Sequence, residues 1–152
     1  MFFSGNLYFL YLFFFPLCNL SLGKSRNLFL VFCSFFFFFF KFLVMVIGIV
    51  AKGFIAKDIT FQNTAGPSGH QAVALRASAD GFVFQSCCFE GYQDTLYAHS
   101  GRQFYRDCKI SGTVDFLFGD SLAIFQNCEL QARVPSLGQQ NTYTAQGKKE
   151  PN

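Results

Sequence analysis

A repeat of about 21 residues constrains this chain more than any other feature. Cys87-Cys88-Phe89-Glu90-Gly91-Tyr92-Gln93-Asp94-Thr95-Leu96-Tyr97 lies over Cys108-Lys109-Ile110-Ser111-Gly112-Thr113-Val114-Asp115-Phe116-Leu117-Phe118 at an offset of 21. Cys, an apolar residue, Gly, Asp and Leu coincide in five columns. A third row begins at Cys128, 20 residues on, with Leu130 in the apolar column. An earlier row places Ile59 and Phe61 in the columns of Cys87 and Phe89. Self-similarity at such a period is the mark of a solenoid, in which each repeat buries its apolar face against its neighbours.

The rows read as short alternating strands: Ile59-Thr60-Phe61, Ala72-Val73-Ala74-Leu75 and Phe82-Val83-Phe84. Gly and polar clusters such as Ala79-Asp80-Gly81 punctuate them. No segment carries a convincing amphipathic helix, and the regular Leu/Asn frame of a leucine-rich repeat is missing. The expected fold is therefore all-β, a parallel β-helix in which one coil of chain makes one rung. Equivalent positions then stack about 4.8 Å apart.

Stacking gives the Asp column a chemical meaning. Asp94 and Asp115 fall on adjacent rungs, about 5 Å apart at Cα. Two carboxylates that close do not both ionise freely, so one holds a proton as general acid while the other stays charged as nucleophile or base. The competing reading is a solvated Asp ladder capped by backbone amides. Gln71 and Gln93 are amides suited to a developing oxyanion. Tyr92, Tyr97, Phe116 and Phe118 are flat faces suited to sugar rings, or, for the two Phe, simply core. Other chemistries lack support: Gly66-Pro67-Ser68-Gly69-His70 is no nucleophile elbow, His99-Ser100 alone makes no Ser–His dyad, and two His without a C-x-x-C pair exclude an obvious zinc site.

Composition divides the chain. Fifteen of its 24 Phe lie in residues 1–50, with residues 35–40 all Phe, and that part has three basic and no acidic residues. Residues 51–152 hold nine Lys/Arg and nine Asp/Glu, so the net +3 belongs to the first part, and the neutral remainder argues against a nucleic-acid partner. We divide the chain into a Phe-rich segment, 1–46, and a β-helix domain, 47–152. The segment reads as low-complexity sequence foreign to the fold, of the kind translated pyrimidine-rich non-coding DNA gives. The alternative is a targeting or membrane segment: residues 28–50 are long enough to span a bilayer, flawed by Lys41, and residues 7–17 resemble a signal-peptide core without its positive start. A sequon at Asn19 lies in the same tract.

Gly69-His70-Gln71-Ala72-Val73-Ala74-Leu75-Arg76, Gly91-Tyr92-Gln93-Asp94-Thr95-Leu96-Tyr97 and Gly112-Thr113-Val114-Asp115-Phe116-Leu117-Phe118-Gly119 resemble, in order and spacing, three signature motifs of the plant pectin methylesterases. The resemblance runs from about Ile47 to the end. It implies a right-handed parallel β-helix, of which this chain would hold the central rungs, and hydrolysis of methyl esters on pectin without metal or cofactor. It implies Asp115 as nucleophile, Asp94 as general acid and base, and Gln71 and Gln93 as oxyanion donors. Gln71, Tyr97 and Phe118 are implied as substrate-binding residues. It further implies secretion to the cell wall, a monomer, and a proteinaceous inhibitor as a partner beside pectin. Three departures stand out: the Phe tract replaces a Gly-x-Tyr-x-Glu region, Lys41 or a neighbour replaces a substrate-binding Thr, and a later Leu-Gly-Arg-Pro-Trp motif is missing. The last removes an Arg expected to orient the nucleophile, which opens a second reading, a catalytically dead remnant that at most binds polysaccharide. A glycosidase acting through the Asp pair is a third.

Overall fold

A computed structural model describes residues 21–22, 32–35 and 45–149, with side chains from residue 47 onward. The sequon at Asn19, the signal-like residues 7–17, Lys41 and the run 36–40 lie outside the described residues. Strands β1 (Ser21–Leu22) and β2 (Phe32–Phe35) pair antiparallel with residues 59–60 and 45–48 respectively.

From Met45 onward the chain winds in coils of three strands. The first coil is β3 (Met45–Ile49), β4 (Ile55–Lys57) and β5 (Ile59–Gln62). The second is β6 (Leu75–Ser78), β7 (Phe82–Gln85) and β8 (Cys88–Glu90); the third is β9 (Leu96–Ser100), β10 (Arg102–Arg106) and β11 (Lys109–Gly112). The fourth is β12 (Leu117–Gly119), β13 (Leu122–Gln126) and β14 (Glu129–Ala132), and β15 (Thr144–Gln146) opens a fifth. Each strand pairs in parallel with its counterpart one coil away, giving three sheets: β3-β6-β9-β12-β15, β4-β7-β10-β13 and β5-β8-β11-β14. This is the parallel β-helix that the repeat predicts. The columns match too: Phe61, Phe89, Ile110 and Leu130 are register partners in turn.

Register explains the core. A strand's side chains alternate in and out, so an inward residue meets the inward residue of the next rung. Phe61 stacks on Phe89 with centroids 5.4 Å apart, and Phe84 stacks on Tyr105 at 4.9 Å, which stacks on Phe125 at 4.5 Å. Each such pair contributes about 0.5–1.5 kcal/mol beyond the area it buries. The phenol of buried Tyr105 donates to Gln103 Oε1 at 2.6 Å, and Gln103 Nε2 donates to the carbonyls of Ala77 and Ser100 at 2.9 Å. The polar groups inside the coil are thus paired, as burial requires. Cys87, Cys108 and Cys128 follow one another in the column opened by Ile59 and, like Cys88, are thiols.

A true structural ladder occurs at the corner between the second and third sheets. Asp58, Ser86, Asp107 and Asn127 all take left-handed backbone conformations, with φ of 51° to 55°. Asn and Asp tolerate that region because short polar side chains hydrogen-bond locally. Here Asn127 Nδ2 donates to Asp107 Oδ1 at 2.6 Å.

One expected strand is displaced. Residues 72–75 alternate, but the strand begins only at Leu75. Ala72 and Ala74 are buried as the pattern demands, yet they do so in a loop whose amides donate to the carbonyls of Gln93 and Thr95. Between Gln71, bridged to Gln93, and Leu75, paired with Leu96, this rung holds one residue more than the next, and the surplus keeps it out of the ladder.

Candidate active site

The corner between the third and first sheets is built differently from the other two. In the second and third coils it is crossed by short turns, residues 91–95 and 113–116. In the coils on either side it is crossed by long loops, residues 63–74 and 133–143. The two short turns thus lie next to one another, between the two long loops. The loops also touch, through the Ser136 hydroxyl donating to the carbonyl of Pro67 at 3.4 Å.

Asp94 and Asp115 occupy equivalent places in the two short turns. Each lies two residues before a register pair, Leu96 and Leu117, and the Asp94 amide donates to the Val114 carbonyl at 3.0 Å. Both take left-handed conformations, φ 63° and 50°, as Asp58 and Asp107 do at the structural corner. Both are half-buried. Unlike Asp107 in the structural ladder, neither accepts a side-chain or backbone hydrogen bond among the described residues. Burial, and next the charge of Asp115, push the Asp94 carboxyl up to about 6. A carboxyl raised in this way is suited to hold and deliver a proton as a general acid.

Why the turns take this shape is written in Gly91, Gly112 and Thr95. Thr95 is fully buried, and its Oγ1 donates to the carbonyls of Tyr92 and Ser111, both at 3.1 Å. A Cβ on Gly91 would fall 2.7 Å from that oxygen, and one on Gly112 would fall 2.6 Å from it and from the Tyr92 carbonyl. The two glycines thus admit one threonine that ties adjacent turns together. Arg133 secures the other flank: its Nη1 donates to the Gly91 carbonyl at 2.8 Å, and its guanidinium lies 4.3 Å from the Tyr92 ring centroid. Neither Thr95 nor Arg133 stands out in the sequence as a site residue. Their partners are backbone carbonyls, which leave no residue-type signal.

The amides and rings fall in columns beside the carboxylates. Gln71 bridges to Gln93, whose next-rung equivalent is Val114; Gln71 is exposed and Gln93 half-buried. On the other side, Tyr97 and Phe118 are outward register partners with rings stacked 4.4 Å apart at 11°. Tyr92 packs under Arg133 rather than lining a free face. Phe116, open between platform and core on sequence, is fully buried and packs on Tyr143 at 5.1 Å. His99 was set aside as a dyad member, and it stands edge-on to Tyr97 at 4.9 Å. Among the described residues no group of three His, Cys, Asp or Glu side chains has the geometry to hold a metal ion.

A family model described as Pectinesterase matches residues 39–152. Among curated proteins, Pectinesterase 3 of Phaseolus vulgaris is 59% identical over 130 residues, covering 86% of this chain and 22% of that protein. The pectinesterase/pectinesterase inhibitor PPE8B of Prunus persica is 56% identical over 119 residues, 78% of this chain and 23% of that protein. The chain spans less than a quarter of the length of these relatives. Among solved structures, pectin methylesterase from carrot superposes with a TM-score of 0.67 at 53% identity, over 69% of this chain and 33% of that one. Pectin methylesterase PemA from Erwinia chrysanthemi does so with a TM-score of 0.62 at 38% identity, over 66% and 35%. On this sequence match, carried by the same coils that bear Asp94 and Asp115, the chain belongs to the pectinesterase family.

Proposed function

We propose that this protein hydrolyses methyl esters of galacturonate units in pectin through an acyl-enzyme formed on an aspartate. The observation that carries the reading is the stacked pair Asp94 and Asp115, unpartnered by other side chains, with the Asp94 carboxyl held near 6. Asp115 attacks the ester carbonyl carbon, and Gln71 and Gln93 donate amide hydrogens to the oxyanion. Collapse of the intermediate expels methoxide, which takes the proton of Asp94 and leaves as methanol. Asp94, now a carboxylate, accepts a proton from water as that water attacks the acyl carbon, which returns Asp115 and releases the pectic acid. The stacked rings of Tyr97 and Phe118 serve as the sugar platform. No step needs a metal or organic cofactor.

The reading extends to place and partners. Its relatives' names, pectinesterase and pectinesterase inhibitor, support pectin as the substrate; a monomer acting in the cell wall, with a proteinaceous inhibitor as partner, completes the proposal. No helix among the described residues is long and apolar enough to cross a membrane.

The test is methanol release from highly esterified pectin by the 152-residue chain and its Asp115→Asn variant. Release that Asp115→Asn abolishes is the expected result. A folded wild-type chain that releases no methanol overturns the proposal in favour of an inert polysaccharide-binding unit. New reducing ends in place of methanol would instead indicate a glycosidase.

A further inference from the structure

The two carboxylate-bearing turns are held by different neighbours. The turn 91–95 has a loop on one side and its twin on the other: the amides of Ala72 and Ala74 donate to the carbonyls of Gln93 and Thr95 at 3.1 and 2.8 Å, and the amides of Asp94 and Leu96 donate to Val114 and Phe116 at 3.0 and 2.8 Å. The turn 113–116 has that twin on one side and the end of the loop 133–143 on the other. There the Thr142 amide donates to the Thr113 carbonyl at 3.0 Å, the Phe116 amide to Thr142 at 3.3 Å and the Leu117 amide to Tyr143 at 3.1 Å. The loop is also fixed where it begins, by the Arg133 amide on the Gly112 carbonyl at 2.7 Å, and its base is closed by Asn141 Nδ2 donating to the Arg133 carbonyl at 3.1 Å. The placement of the Asp115 turn therefore depends on what residues 141–143 do.

One side chain of that segment reaches the turn. Leu75, Leu96, Leu117 and Thr144 are register partners in turn, so the residues before them, Ala74, Thr95, Phe116 and Tyr143, form a column. The first three are buried, while Tyr143 is 44% exposed and closes the column with its ring 5.1 Å from that of Phe116. Its hydroxyl has no hydrogen-bond partner among the described residues, so the contact belongs to the ring. On its other side Phe116 is pressed against Gly112, where an added Cβ would collide with the Phe116 Cβ. Phe116 is thus wedged between Gly112 and Tyr143, and it shares a peptide plane with Asp115, whose left-handed φ of 50° occupies a narrow well. A shift of the wedge carries the carboxylate with it.

We propose that Tyr143 is a positioning residue for the reaction: its ring, seated on Phe116, holds the 113–116 turn in the shape that sets the Asp115 carboxylate beside Asp94. This rests on the function proposed above and deepens it. Tyr143 acts through Phe116 and not on the substrate. Losing its ring should spread Asp115 over several positions, which lowers turnover, while the amides and rings that bind sugar stand on other residues and keep KM.

The experiment reads the geometry with and without turnover. The titration midpoint of the Asp94 carboxyl is followed by NMR on the full chain labelled with carbon-13 at aspartate, in wild type, Tyr143→Ala, Tyr143→Leu and Tyr143→Phe. Phe125→Leu, which takes a ring off Tyr105 in the second sheet, controls for packing lost away from the turns. Part of the raised midpoint comes from the charge of Asp115, so a loosened turn should lower it, by about half a pH unit in Tyr143→Ala. Methanol release should fall roughly ten-fold in kcat with KM within about two-fold. Tyr143→Phe should restore both readings, and leucine should fall between; if alanine does not fold, leucine carries the comparison. An unmoved Asp94 midpoint, an ordinary carboxylate midpoint already in wild type, no rescue by phenylalanine, or the same changes in Phe125→Leu would overturn the inference. A wild-type chain that releases no methanol refutes the esterase reading instead, and the Asp94 titration then decides this one alone.

Discussion

Replacing Thr95 with valine isolates the one hydroxyl that joins the two carboxylate-bearing turns. Valine keeps the branched shape and removes a donor shared by two carbonyls. Neither carbonyl is orphaned: Tyr92 O still accepts the Thr113 amide at 2.9 Å, and Ser111 O the Gly91 amide at 3.2 Å. The full penalty for a buried unpaired group is therefore avoided, and the lost hydrogen bond costs about 1 kcal/mol. A methyl in the hydroxyl's place must also fit between Gly91 and Gly112, where the oxygen already stands at close range, which adds about 1 kcal/mol of overpacking. The expected destabilisation is about 2 kcal/mol. It is read as a fall in the urea midpoint at unchanged slope, roughly 1 M for a slope of about 2 kcal/mol/M. Thr95→Ser keeps the hydroxyl and should cost about 1 kcal/mol for the methyl it vacates. If valine proves as stable as wild type, or serine proves the more damaging, the hydroxyl does not hold the turns together.

The Asp94 carboxyl makes stability depend on pH. Its folded pKa, about 6, lies above the usual carboxylate value, so the folded state binds the proton more tightly than the unfolded chain. The contribution is complete below about pH 4 and is lost as pH rises through about 6; Asp94→Asn should flatten that decline in a series of melting temperatures, and an unchanged slope would refute the assignment. Glycine substitutions should separate crowding from backbone strain. Gly112→Ala meets Phe116, Thr95 and the Tyr92 carbonyl and should cost about 3 kcal/mol or more, whereas Gly138→Ala, at φ 82° in open space, should cost only about 1–2 kcal/mol. Arg133→Met removes the hydrogen bond to the Gly91 carbonyl and the contact with Tyr92. It should lower stability by about 1–2 kcal/mol and kcat more than KM, both measurable on one preparation.

The repeat was legible because in-register stacking makes residues one coil apart share a neighbour and hence a residue type. Phe61, Phe89 and Ile110 face one interior, and Asp94 and Asp115 one corner. The 28-residue spacing between Ile47 and its partner Leu75 obscured the first rung, since the extra residues lie in the loop 63–74. The same loop disguised Ala72 and Ala74 as strand, because burial alternates there without ladder pairing. Thr95 and Arg133 were invisible for another reason: they act on carbonyls, and every residue has one. Tyr143 gains meaning only from the column that sets its ring on Phe116. The inward stack of Phe84, Tyr105 and Phe125 keeps the same offsets of 21 and 20 residues as Cys87, Cys108 and Cys128.

The uneven corner has a consequence for how such a chain can change. At two corners of every coil the connections are a few residues long, and at one of these a left-handed residue recurs on each rung. An inserted residue there would rotate every later side chain between inside and outside. At the third corner the chain already alternates between short turns and long loops without disturbing the stack. The corner between the first and second sheets varies from one residue (101) to five (50–54), and the third corner from four (113–116) to twelve (63–74), so length varies most at the third corner. The widest range of connection lengths thus falls beside the turns that carry Asp94 and Asp115, while the strands that stack the core keep their register from coil to coil.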